Sequence, residues 1–326
     1  MNNDQTQKEW KEITISCKAD ELPIDQAKLI QRLNKPAGQI DVVIDTDTFN
    51  EVDDQFALAY LIKSDEKLNL KAIYAAPFYN SRSDSPADGM VKSYYEIMNV
   101  LTLLEREDLK ETVFRGSTSY LSSESEPVVS EAAMDLAERA MNYSEKSPLY
   151  VIAIGAITNV ASALLMNPAI KDHIIIIWLG GNSYEWPQNR EFNLYQDIAA
   201  ARIVFGCEVP LVQLPCMGVV SSFTTSGPEL EYWLRGKNKF CDYLIDITKA
   251  EAKKSCGVNT WTRTIWDVAA VAWLLDGDFM CDRLDHSPIP EYDDHYAFDK
   301  TRHFIKYVYY IKRDNLFKDL FEKLRK

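Results

Sequence analysis

Apolar residues recur along this chain in two alternating rhythms. Short β-branched runs, such as Ile40-Asp41-Val42-Val43-Ile44 and Ile174-Ile175-Ile176-Ile177-Trp178-Leu179, predict strands covered on both faces. Between them lie segments with apolar residues three and four apart, the spacing of a helix that buries one stripe. In chain order the pattern predicts a strand at 40–44, a helix at 56–62, a strand at 70–75, a helix at 90–104 and a strand at 112–114. It continues with a helix at 130–142, a strand at 149–154, a helix at 158–165, a strand at 174–179, a helix at 197–205 and a strand at 210–214. After Thr224 the pattern is helical at 230–234, 240–247 and 267–275, and the chain closes with a β-rich run at 304–311 and a terminal helix. Such alternation predicts an α/β fold with an open, mainly parallel central sheet and helices on both faces. Residues 1–37 precede the first strand and read as an N-terminal helical extension to a single α/β domain over 38–326.

Composition narrows the partners. With 326 residues and 46% hydrophobic content, the chain can bury a large core. Thirty-six basic against 49 acidic residues give a net charge of -13, which repels nucleic acid and anionic membrane and points to small molecules. The six cysteines show no Cys-x-x-Cys spacing, so neither a zinc site nor a disulfide framework is expected. The polar amino terminus and the lack of a membrane-length apolar run make the cytoplasm the expected location.

Chemistry concentrates where the first strand ends. Asp45, Asp47, Glu51, Asp53 and Asp54 place five acids within ten residues. Asp45 and Asp47 would share one face of the strand end, and Asp53 and Asp54 open the next helix, facing the positive end of its dipole. A helix dipole cannot neutralise that many carboxylates, whereas a hard, oxygen-preferring cation can, Ca²⁺ before Mg²⁺. Other strands deliver polar groups to the same rim. Asn80 follows the second strand, the turn Gly155-Ala156-Ile157-Thr158-Asn159 follows the strand at 149–154, and Gly180-Gly181-Asn182 with Glu191-Phe192-Asn193 follows the strand at 174–179. Carboxylates and amides around a cation suit a polyhydroxylated ligand such as a sugar, whose hydroxyls each need a donor and an acceptor.

Taken in order, strand-Asp45-x-Asp47, the helix-opening Asp53-Asp54, Ile154-Gly155-Ala156-Ile157-Thr158-Asn159, Gly180-Gly181, Glu191-Phe192-Asn193 and a late Asp267 resemble the nucleoside hydrolases from about residue 38 to about residue 275. The resemblance implies Ca²⁺-dependent hydrolysis of the N-glycosidic bond of ribonucleosides, releasing base and ribose as in purine salvage. It assigns the Ca²⁺ to Asp47, Asp54, Asp267 and the carbonyl of Ile154, with Asp47 as general base for the attacking water. Asp53, Asn80, Glu191 and Asn193 would grip the ribose, with Asn182 a looser match. A homodimer or homotetramer is the implied assembly.

Three departures stand out. Five residues, Thr48 to Val52, separate the second and third aspartates where the family has three. The Asn that normally precedes the Glu-Phe-Asn motif by a few residues has no clean counterpart in 183–190. Where many members carry a leaving-group His before the late aspartate, this chain has Trp266, which reads as a surface on which a base stacks and favours purines. Trp186 is the expected second face. The four histidines read as solvated or core residues. Without that acid, the alternative is a non-catalytic nucleoside- or ribose-binding homologue. A haloacid dehalogenase-type phosphatase, suggested by Asp45-x-Asp47 and Gly277-Asp278, is the lesser rival, and an EF-hand is excluded because Asn50 and Phe56 stand where its Gly and Glu belong.

Overall fold

The computed structural model describes residues 24–256 and 260–326, and most of the expected N-terminal extension, residues 1–23, lies outside them. Twelve strands are found among the described residues: β1 Ile40–Thr46, β2 Leu68–Ala75, β3 Val113–Arg115, β4 Leu149–Ala153, β5 Ile174–Leu179, β6 Leu211–Leu214, β7 Thr224–Ser226, β8 Thr262–Thr264, β9 Met280–His286, β10 Ile289–Pro290, β11 Tyr296–Ala297 and β12 Phe304–Ile311. The helices are α1 Ile24–Arg32, α2 Asp53–Ile62, α3 Pro86–Leu103, α4 Glu131–Arg139, α5 Thr158–Met166, α6 Phe192–Tyr195, α7 Ile198–Gly206, α8 Gly227–Leu234, α9 Lys239–Cys256, α10 Val268–Trp273 and α11 Arg313–Leu324.

Eight strands form one sheet in the order β3-β2-β1-β4-β5-β6-β12-β9. Every pairing is parallel except β12 with β9. The apolar runs are continuous because both faces are covered. Val42 and Ile44 face one core while Val43 faces the other, and Ile175, Ile177 and Leu179 oppose Ile174, Ile176 and Trp178 in the same way. Helix α2 is buried along its whole length, its two leading aspartates included.

Three elements escaped the sequence pattern. β9 reads Met-Cys-Asp-Arg-Leu-Asp-His and lies at the sheet edge, where a half-exposed strand carries polar residues. The ribbons β7–β8 and β10–β11 are two or three residues per strand, too short to show a period. α1 is tied to the sheet by Arg32, whose guanidinium donates to the carbonyl of Ile174 at 2.9 Å. No helix among the described residues is long and apolar enough to cross a membrane.

The strand order reverses direction between β1 and β4, which lie side by side. Crossovers leave that point in opposite directions, so the carboxyl ends of β1 and β4 open a crevice that neither connection fills.

Candidate active site

That crevice holds a cavity of about 230 Å³. Its floor is built by chain segments leaving four parallel strands: Asp47 after β1, Ile154 after β4, Leu179 and Asn182 at the end of β5, and Cys216 and Met217 after β6. Asp53 and Asp54 reach it from the first turn of α2, and Trp266 and Asp267 from the residues leading into α10. Position 155, packed beside Asp47, suits glycine, because a Cβ there would come within 3.1 Å of Ala76 Cβ and 3.3 Å of the Asp47 side chain.

The carboxylates are buried with little to neutralise them. Asp47, Asp53, Asp54 and Asp267 are 1%, 2%, 1% and 4% exposed. Asp53, Asp54 and Asp267 each offer an oxygen within 4.8 Å of the others. The Asp47, Asp54 and Asp267 carboxyls are held well above the usual range by burial and then by neighbouring aspartates. Burial also raises Asp53, against the opposing pull of the Arg263 guanidinium. Asp47 Oδ2 and Asp53 Oδ1 have no hydrogen-bond partner. A hard divalent cation fits these observations: oxygen donors only, several carboxylates on one point, and buried lone pairs left over.

Local bonds hold the loop in shape. Thr46 Oγ1 donates to Asp54 and lies 2.8 Å from Thr48 Oγ1, and Asn50 N closes a turn onto the carbonyl of Asp47 at 2.7 Å. Trp266 N donates to Asp53 Oδ2 at 3.0 Å, joining the loop to α10. Asp45 turns away from the cavity. It accepts from Asn159 Nδ2 at 2.8 Å, and Asn159 Oδ1 takes the amide and hydroxyl of Ser117. Burial pushes the Asp45 carboxyl up to about 7.

The opposite wall is the segment from Gly180 to Asn193. Glu191 caps α6 and accepts from the amides of Gly181 at 2.8 Å, Asn193 at 2.9 Å and Leu194 at 3.0 Å. Gly181 needs its φ of +76° to present that amide. Asn193 Nδ2 donates to the carbonyl of Leu179 at 3.0 Å, leaving its oxygen toward the cavity it lines. Asn182 lines the cavity, but its amide donates to the carbonyl of Gln188 at 3.0 Å and its oxygen accepts from Met217 N at 3.2 Å.

Of the sequence-predicted residues, Asp47, Asp53, Asp54, Ile154, Asn182, Glu191, Asn193, Trp266 and Asp267 are thus brought together. Asn80 is not among the lining residues. Its Nδ2 donates to Asn50 Oδ1 at 2.6 Å, so Asn50, one of the residues in the longer loop, faces the cavity in its place. Trp186 lies beside a separate small cavity with His295, and none of the four histidines lines the main one. Asp278 pairs with Lys312, away from the cavity, which removes the support for a phosphatase. Glu51, Arg190 and Cys216 also line it. Glu51 is paired with Arg263, yet burial, followed by the charge of Asp53, pushes it up to about 7. The longer loop marked altered geometry without pointing to Asn50, and a lone Arg or Cys carries no signal at all.

An acidic cavity at the switch point of a mainly parallel sheet is the place where such folds bind small-molecule ligands. The sequence model of the inosine-uridine preferring nucleoside hydrolases matches residues 42–307, and the chain belongs to this family. It is accordingly an N-glycosyl hydrolase. It is 27% identical over 263 residues to the pyrimidine-specific ribonucleoside hydrolase RihA of Salmonella schwarzengrund, covering 72% of this chain and 79% of that one. Two solved structures share the fold at TM-score 0.71 and 20% identity. The plant nucleoside hydrolase PpNRh1 covers 89% of this chain and 99% of its own, and the purine-preferring ribonucleoside hydrolase from Gardnerella vaginalis covers 87% and 98%.

Proposed function

We propose that the protein hydrolyses ribonucleosides with a Ca²⁺-assisted site and leans toward purines. The observation that carries the reading is the cavity floor, where the Asp53, Asp54 and Asp267 carboxylates converge and Asp47, with its Oδ2 unpartnered, lines the same cavity. Asp47, Asp54, Asp267 and the Ile154 carbonyl would hold the cation, with Asp53 close enough to share it. When bound, a divalent cation favours deprotonation of the attacking water and gathers the ribose hydroxyls.

The chain's own groups do the rest. Asp47 takes the proton of the water that attacks the anomeric carbon, a role its position on the cavity floor allows. Asp53, Asn50 and the oxygen of Asn193 meet the ribose hydroxyls, while Glu191 and Asn182 set the wall that positions Asn193. The carboxylates beneath the sugar stabilise the positive charge of an oxocarbenium-like transition state. A homodimer or homotetramer is the proposed assembly, to be checked by sedimentation.

Trp266 lines the cavity and would offer its ring to the base. Stacking on one aromatic contributes about 1–3 kcal/mol, enough for a tenfold preference for the larger purine. The 27% identity to a pyrimidine-specific enzyme favours the second reading, in which uridine and cytidine are the better substrates. Ribose release from inosine, guanosine, adenosine, uridine and cytidine separates the two. The purine reading expects kcat/KM at least about tenfold higher on inosine than on uridine, lost in Trp266→Ala. A uridine preference overturns it. Asp47→Asn should lower kcat on every substrate by about 10²–10⁴-fold, and near-normal turnover in that variant would reassign the base.

A further inference from the structure

The cavity grades from a sealed floor to an open rim. Its floor aspartates are at most 4% exposed, whereas the Arg190 side chain on the same lining is 58% exposed. For Asp47 to serve water at the anomeric carbon, the ribose must occupy the floor, which leaves the base toward the rim with Trp266 and Arg190. As the C1′–N bond breaks, its electron pair moves onto the base nitrogen while the sugar turns cationic. Floor carboxylates suit the sugar and repel the base. Asn182 and Asn193 each commit one amide N–H to a backbone carbonyl and carry no charge, and the Cys216 thiol is engaged by Glu191. Arg190 is the one cation among the described lining residues.

We propose that Arg190 is a catalytic residue that hydrogen-bonds the departing base and stabilises the negative charge developing on it, a role that rests on the hydrolase reading above. The guanidinium is held for this. Nη1 donates to Asp294 Oδ2 at 3.1 Å, and Cζ lies 4.4 Å from the Tyr195 ring centroid. The following residue, Glu191, is fixed by three backbone amides. Asp294 takes one of five N–H groups, and the others remain for an oxygen or nitrogen of the base. Arginine keeps its proton. The water's oxygen bonds to C1′, its proton passes to Asp47, and the released base anion takes a proton from solvent.

The test compares inosine with 4-nitrophenyl β-D-ribofuranoside, whose phenolate leaves without help, in the full-length cation-loaded wild type and in Arg190→Gln and Arg190→Lys. Arg190→Gln should lose about 10²-fold or more in kcat on inosine, the usual cost of one charge-stabilising donor, and less than about threefold on the nitrophenyl riboside. Arg190→Lys should fall between, because the charge remains and the planar fork is lost. Retained nitrophenyl turnover also shows that the variant is folded. Equal losses on both substrates would place Arg190 on the sugar or in the fold and overturn the proposal, as would unchanged inosine turnover. A wild type that cleaves neither substrate overturns the hydrolase reading itself, a separate outcome.

Discussion

Two loops bring buried carboxylates to the cavity, and they treat them in opposite ways. After β5, Glu191 sits among three backbone N–H groups at 2.8–3.0 Å, so its charge is spent within the protein. After β1, Asp47, Asp53 and Asp54 crowd one another and meet Asp267 from the start of α10, and two of these carboxylate oxygens have no partner. Both sets are buried, and burial raises both. What differs is that backbone amides oppose the rise at Glu191 whereas neighbouring aspartates add to it at Asp47, Asp54 and Asp267. The first loop is held by its own backbone. The second leaves its negative charge without a partner inside the protein, as the proposed cation-assisted reading requires.

The largest effect that would break this contrast is removal of one floor charge. Asp54→Asn keeps the shape and the Thr46 hydrogen bond but removes charge, so it should abolish Ca²⁺ binding by calorimetry and turnover with it. The same change relieves repulsion, so the cation-free variant should melt no lower than the cation-free wild type. Asp267→Ala should lose binding likewise. A variant of either kind that still bound Ca²⁺ tightly would mean the trio is not the cation site. Glu191→Gln is expected to show the reverse pattern. A carboxamide cannot accept from all three amides, so stability should fall by about 2–3 kcal/mol in urea titrations with or without cation. An unaltered unfolding midpoint would show the clasp to be dispensable.

A smaller effect, in pH, sharpens the same contrast. Asp45 has a folded-state value of about 7 against an ordinary 3.8, raised by burial. For an acid whose folded value is raised, the stabilising contribution is present below about pH 4 and is lost as pH climbs through about 7. Asp47, Asp54 and Asp267 shift in the same direction. The chelated protein should therefore melt several degrees higher at pH 5.5 than at pH 8, and saturating Ca²⁺ should flatten that slope. A chelated protein that grew more stable with rising pH would contradict the burial of these groups.

The two loops were not equally legible in the sequence. The acidic one was, because carboxylate density after a β-branched strand has no common structural use, and the parallel sheet was, because its strands are apolar on both faces. Glu191 was visible only as a motif, and its work for the backbone depends on a Gly181 geometry that residue order does not display. Asn80 shows where pattern ends. Strand position put it at the rim, but the two extra residues between Asp47 and Asp53 reach across in front of it, and which of two asparagines faces the ligand is decided by loop path. β9 stayed hidden because an edge strand tolerates the polar alternation that elsewhere marks a loop.

The smallest predicted effect tests that asparagine pair. Asn80 Oδ1 accepts from Arg82 N at 2.8 Å and its Nδ2 donates to Asn50 Oδ1 at 2.6 Å, which turns the Asn50 amide N–H groups toward the cavity. On the proposed reading Asn50 would donate to a ribose hydroxyl, with Asn80 orienting it. Asn50→Ala should raise KM for every nucleoside, because a neutral hydrogen bond contributes about 0.5–1.5 kcal/mol, or roughly two- to twelvefold. Asn80→Ala should raise KM by less, since Asn50 can still rotate into place, and the double variant should add little to Asn50→Ala alone, because both changes remove one interaction. Measured kcat/KM values in the four-member cycle decide it. If the two effects simply multiply, Asn80 reaches the substrate by its own route, and the second loop residue to face the sugar is Asn80 after all.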